Sequence, residues 1–235
     1  MQHLVSEQPS ARITVKKLGF WAAILAAIFS LLFAVLAIAY SPPDWAGIEA
    51  YAEGFDFLQM LNMIPVVLVT IAVIVVMACI HSIAPSSKKV FSLIAIAFSV
   101  VYATIISTNY YVQLFVVRLN LVSGNLEGLQ LLAMPNLHSV FFALEALGYM
   151  FLSLATLFIL PVFGRGKLAG WIRTFIIISG GLGIFGTIVA LFDLPLLIFA
   201  GLGLWSLTFP IAMIFVAVYF RSLPQEQIRL LESGS

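Results

Sequence analysis

Apolar residues along this chain come in six long continuous runs, at about 18–40, 57–80, 90–113, 137–161, 172–191 and 196–220, separated by short polar segments. A helix needs about 20 apolar residues to cross the hydrocarbon core of a bilayer, and each run meets that length. The runs are continuous instead of alternating, which argues against strands, and an open sheet edge would leave backbone groups unpaired in lipid. The pattern predicts an all-α polytopic membrane protein, a bundle of six transmembrane helices.

Composition agrees. Of the 235 residues 63% are hydrophobic and 9% charged, where soluble domains average about 25% charged. Mean hydropathy is +1.14. The net charge of +1 points to no nucleic-acid partner, and the only partner that composition itself implies is membrane lipid.

Basic residues set the orientation. Arg12, Lys16 and Lys17 precede the first run, Lys88 and Lys89 follow the second, Arg165, Lys167 and Arg173 follow the fourth, and Arg221 and Arg229 follow the sixth. Only Arg118 falls on the other side, so both termini are expected in the cytoplasm. Residues 1–17 then read as an N-terminal tail, 18–220 as the membrane domain, and 221–235 as a C-terminal tail whose ending, Glu232 to Ser235, reads as a remnant of expression. The expected location is the plasma membrane of a bacterium or archaeon.

The outer loops carry their own pattern. After Pro42 and Pro43, Asp44 can cap a short helix presenting Trp45, Ile48, Ala52 and Phe55 on one face, suited to the headgroup region. Leu121 to Met134 can form a second interfacial element. Pro65 and Pro210 fall inside the second and sixth spans, where each is expected to kink the helix.

One carboxylate cannot be assigned to a loop. At about 100° per residue, His138, Glu145, Tyr149 and Thr156 fall on one narrow line of the fourth span. Glu145 lies about 10 Å below His138 at 1.5 Å per residue, too deep for its side chain to snorkel, so it must face protein or a water-filled cavity. A polar side of the third span, with Thr104, Ser107, Thr108 and Tyr111, supplies a candidate opposite wall. Arg118 can reach Glu145 if that helix continues; if the helix stops near Asn109, Arg118 is an interfacial residue. Asn62 and Trp205 join the candidate ligand-binding set by level alone.

Small residues line two helices: Ala23, Ala27, Ser30, Ala34 and Ala37 in the first span, and Ser179, Gly183, Gly186 and Ala190 in the fifth. Such faces allow close packing within the chain, or docking of a membrane partner or second copy. Enzyme signatures are missing: no Gly-x-Ser-x-Gly, His-Glu-x-x-His, Cys-x-x-Cys or phosphate-binding loop is present. Cys79 is the single cysteine, the three histidines are scattered, and no lysine lies within a span, so neither a metal nor a cofactor is expected.

The layout of six spans, both ends inside and an alanine-rich first helix resembles that of the substrate-binding membrane subunits of energy-coupling-factor vitamin importers. The resemblance is one of layout, carries no motif and transfers no residue. The polar residues facing one another on the third and fourth spans give the leading expectation, a small or amphipathic ligand bound in an outward-facing polar cavity, for uptake or sensing. Two other classes share the same architecture: an intramembrane enzyme acting on a lipid or isoprenoid, and a non-catalytic scaffold or partner subunit.

Overall fold

In the computed structural model, residues 8–42 and 44–223 are described. Residues 1–7 of the expected N-terminal tail, Pro43, and 224–235 with Arg229 and the presumed expression remnant lie outside them. The helices are α1 (Gln8–Ala39), α2 (Ile48–Glu53), α3 (Met63–Ile83), α4 (Lys89–Val112), α5 (Arg118–Ser123), α6 (Val140–Phe158), α7 (Lys167–Ala190) and α8 (Pro195–Ser222). No strand occurs among the described residues. Six helical stretches are long and apolar enough to cross a membrane, and the chain is a polytopic membrane protein.

The spans pack as a ring in chain order. α1 lies against α3, α3 against α4, α4 against α6, α6 against α7 and α7 against α8, and α8 closes back on α1. Six crossings bring both described chain ends to one end of the bundle, where the Lys16 ammonium donates to the Leu223 carbonyl at 2.8 Å. We call this the terminal end and its opposite the far end.

Close approach in the ring depends on small residues. Ala22, Ala23, Ala26, Ala27 and Ser30 are all buried on the inner face of α1. That part of the alanine line is therefore occupied within the chain, packed on α3 and α8. Large aromatics fill the middle: Tyr102 of α4 lies 6.2 Å from Tyr149 of α6 between ring centroids, Tyr149 lies 4.8 Å from Trp205 of α8, and Trp205 stacks on Phe209 at 4.9 Å.

Several expected boundaries move. α1 begins at Gln8, so the part of the polar tail from there to Lys17 is helical. The second span opens with a tight turn, Phe57–Met60, capped by Asp56, whose Oδ1 accepts from the Leu58 amide at 2.9 Å. Regular helix starts only at Met63, which places Pro65 in the first turn of α3, where no earlier carbonyl awaits its missing N–H. Pro65 therefore starts a helix instead of kinking one, whereas Pro210 does sit inside α8. Asp44 does not cap α2, whose N-cap is Gly47. The expected interfacial helix is only six residues long, and it is held by burial of Ile48 and Tyr51, the latter between Trp45 and Phe55.

The third span continues past Val112 through a wide turn, Gln113–Val117, directly into α5. This π-type turn points Gln113 into the far-end loop. Its Nε2 donates to the Leu132 carbonyl at 2.8 Å and its Oε1 accepts from the Met134 amide at 3.1 Å. Both ends of one buried amide thereby fasten the loop between α5 and α6. Replacing Gln113 with leucine should leave the six spans folded while the Leu132 to Met134 amides exchange with solvent at least tenfold faster, by hydrogen exchange. Unchanged exchange there would show that the loop is held by its leucines instead.

Candidate functional site

α6 owes its start to Ser139, whose hydroxyl accepts from the Phe142 amide at 3.0 Å, and not to Leu137 as the apolar run suggests. From that start, Phe142, Glu145, Ala146 and Tyr149 fall on the side that faces α7 and α8, where they line a groove. α7 contributes Leu182, Gly183, Gly186, Thr187 and Ala190, and α8 contributes Ile198, Gly201, Leu202 and Trp205. The groove lies in the far half of the bundle, and its space, open solvent at the mouth included, is about 450 Å³.

Glycine makes this space. At Gly186 and at Gly201 a Cβ would meet nothing within 4 Å, so larger side chains there would project into volume that is now free. Gly183 does the opposite job: a Cβ would fall 2.1 Å from the Ser153 hydroxyl, so α6 and α7 touch here only because the side chain is missing. The Thr187 hydroxyl reaches across the same interface to the Ala146 carbonyl at 2.9 Å.

Glu145 is the one acidic side chain on the wall. Its Oε1 accepts from the Tyr110 hydroxyl at 2.5 Å and its Oε2 from the Asn109 amide nitrogen at 2.8 Å, both from α4. The second N–H of Asn109 goes to the Phe141 carbonyl at 3.0 Å. Glu145 is only partly buried, because its other side borders the groove. The Tyr102 hydroxyl and Asn109 Oδ1 are buried without a hydrogen-bond partner among the described residues.

Of the ligand-binding candidates named from sequence, Glu145, Tyr149 and Trp205 come together on the groove, joined there by Gly183, Gly186 and Ala190 of the small-residue line. The others do not. His138 lies before α6 and therefore off the helical line. Its Nε2 sits 3.3 Å from Asp193 Oδ1, with both side chains largely exposed. Thr108 is exposed, and Tyr111 is 61% exposed and stacked on Phe115 at 4.5 Å. Arg118 stands on a helix that does continue, yet its Nε donates back to the Leu114 carbonyl at 2.9 Å and its guanidinium lies over the Phe57 ring, 5.7 Å from the centroid. Asn62 stands at the start of α3, outside the groove lining.

The wall facing Glu145 on α4 is thus Asn109 and Tyr110, not Thr108 and Tyr111. The cavity also differs in kind from the polar chamber expected: most of its lining is apolar, with one carboxylate held at the edge. No cluster of three or more histidine, cysteine or acidic residues able to hold a metal occurs among the described residues. Compared with family models, curated proteins and solved structures, the chain matches none.

Proposed function

We propose that this six-helix membrane protein binds a small amphipathic ligand in the groove between α6, α7 and α8, in a membrane orientation that turns the groove toward the outside, for uptake or sensing. The observation that carries this reading is a carboxylate fixed by two donors on the wall of a mostly apolar groove, the usual make-up of a small-molecule site: hydrocarbon lining with a few placed polar groups. Depth supports it as well. An acid inside a span is expensive in hydrocarbon and is retained where it has partners and work to do.

Gly186→Leu tests the groove. With nothing within 4 Å of a Cβ at this position, the leucine should leave the unfolding midpoint nearly unchanged while filling the space. Small molecules that copurify with the wild type should fall at least tenfold in the variant, by mass spectrometry of extracts from equal amounts of protein. Equal recovery from both proteins would remove the groove from consideration.

Orientation has its own test. The positive-inside bias places Lys88 in the cytoplasm and Glu127 outside. With the buried Cys79 replaced by alanine, a cysteine at position 127 should react with an impermeant maleimide on intact cells, and one at 88 only after lysis. The reverse pattern would turn the protein over.

A further inference from the structure

Resting on the groove as the binding site, we infer that its ligand is a cationic amphiphile: a protonated amine on an apolar body, with the amine against Glu145. The hydrogen-bond inventory of the carboxylate leads there. A carboxylate offers about four lone-pair sites, and the α4 donors Asn109 and Tyr110 occupy one on each oxygen. Acceptor capacity remains on both oxygens, and Glu145 is one of the residues that line the groove.

Both of those donors are neutral, and Glu145 forms no ion pair among the described residues. No lysine, arginine or histidine lines the groove, and four of the described basic residues have partners of their own. Arg118 bonds its own helix, Arg173 donates to the Phe163 carbonyl, Lys16 caps the end of α8 at Leu223, and His138 faces Asp193. A ligand carrying a carboxylate or phosphate would approach an acid with no cation on the groove wall to offset the repulsion.

The rest of the wall fits the rest of such a ligand. Phe142, Leu182, Ile198 and Leu202 offer hydrocarbon contact and no competing donor. Tyr149 and Trp205 stand together on the lining, and aromatic faces attract a cation within about 6 Å of the ring centroid. An ammonium group there lies against the Glu145 carboxyl beside the Tyr149 and Trp205 rings, while its alkyl or aryl body lies along the glycine face of α7.

The test uses three probes of one shape: phenylbutylamine, phenylbutanol and phenylbutyrate. Each is titrated into the purified full chain in an uncharged detergent and followed by tryptophan fluorescence and by the unfolding midpoint. The amine should bind wild type at least tenfold tighter than the alcohol, and the butyrate weakest. Glu145→Gln should erase the preference for the amine while the alcohol still binds, and Gly186→Leu should remove both. The wild-type ratio of amine to alcohol decides the matter even if the glutamine variant fails to fold. Equal binding of amine and alcohol, both lost in Gly186→Leu, would overturn the cationic ligand and leave the groove standing as a site. Tighter binding of the butyrate would overturn it too. Binding of all three that ignores Gly186→Leu would overturn the groove itself, and the inference with it.

Discussion

Glu145→Ala should lower the unfolding free energy by about 2 to 3 kcal/mol, against about 1 kcal/mol for Glu145→Gln. Alanine leaves the Tyr110 hydroxyl and one Asn109 N–H buried beside a new void, with no acceptor. Each stranded donor costs about 1 to 3 kcal/mol in a protein interior. Membrane proteins sit at the low end of that range, since the unfolded chain in lipid also finds partners. Glutamine keeps one oxygen for one donor and turns its own amide toward the other, so one hydrogen bond is lost instead of two. Tyr110→Phe gives the cross-check: alone it should cost about 1 kcal/mol, and in the Glu145→Ala background close to nothing, because the hydroxyl no longer has an acceptor to lose. Unfolding midpoints of the four proteins in one detergent measure this. Equal losses for alanine and glutamine, or strict additivity with Tyr110→Phe, would mean that the carboxylate is not the acceptor organising α4 and α6.

The spans and the acid within the fourth of them were legible because both are matters of solvation. Length and hydropathy alone decide whether a run can cross hydrocarbon, and a lone carboxylate at depth has to find partners whatever they are. Which face of the third span would turn inward was read wrongly, and the reason is chemical. Serine and threonine hydroxyls can bond the carbonyl one turn back, as Thr104 does with Val100 at 2.8 Å, and so can face lipid at little cost. Asn109 and Gln113 carry amides with donors and acceptors to place; both are fully buried, together with Tyr102 and Tyr110. Weighting amides above hydroxyls would have turned the helix by about one residue and put Asn109 opposite Glu145. His138 was misplaced by a boundary. The apolar run begins at Leu137, but Ser139 two residues on is a standard N-cap, and giving it that role takes His138 off the helix. The groove itself was not legible, since free space beside Gly186 and close contact at Gly183 depend on how α7 is rotated against two neighbours at once, which no single-helix pattern encodes.

The largest loss is expected at a residue with no side chain. A Cβ on Gly148 would fall 2.6 Å from Cδ1 and 2.8 Å from Cγ1 of Ile106, which is fully buried on α4. Ile106 is β-branched and stiff at its first torsion, so it cannot swing aside, and relief must come from moving α4 away from α6. That motion acts directly on the site. Glu145 lies one turn before Gly148, and Asn109 and Tyr110 lie one turn after Ile106, so a shift of about 1 Å stretches both hydrogen bonds of the carboxylate beyond useful length. Gly148→Ala should cost about 1 to 3 kcal/mol from overpacking. Gly148→Val, with two more carbons in the same place, should exceed Glu145→Ala and leave little folded protein at the growth temperature. Ile106→Ala removes both clashing atoms, and although alone it should cost about 2 to 4 kcal/mol as a cavity, its combination with Gly148→Ala should be more stable than the sum of the two by at least about 1 kcal/mol. Unfolding midpoints of the two single variants and the pair decide it. If the losses simply add, the contact between Gly148 and Ile106 does not set the spacing of the two helices, and the carboxylate alone must hold α4 against α6.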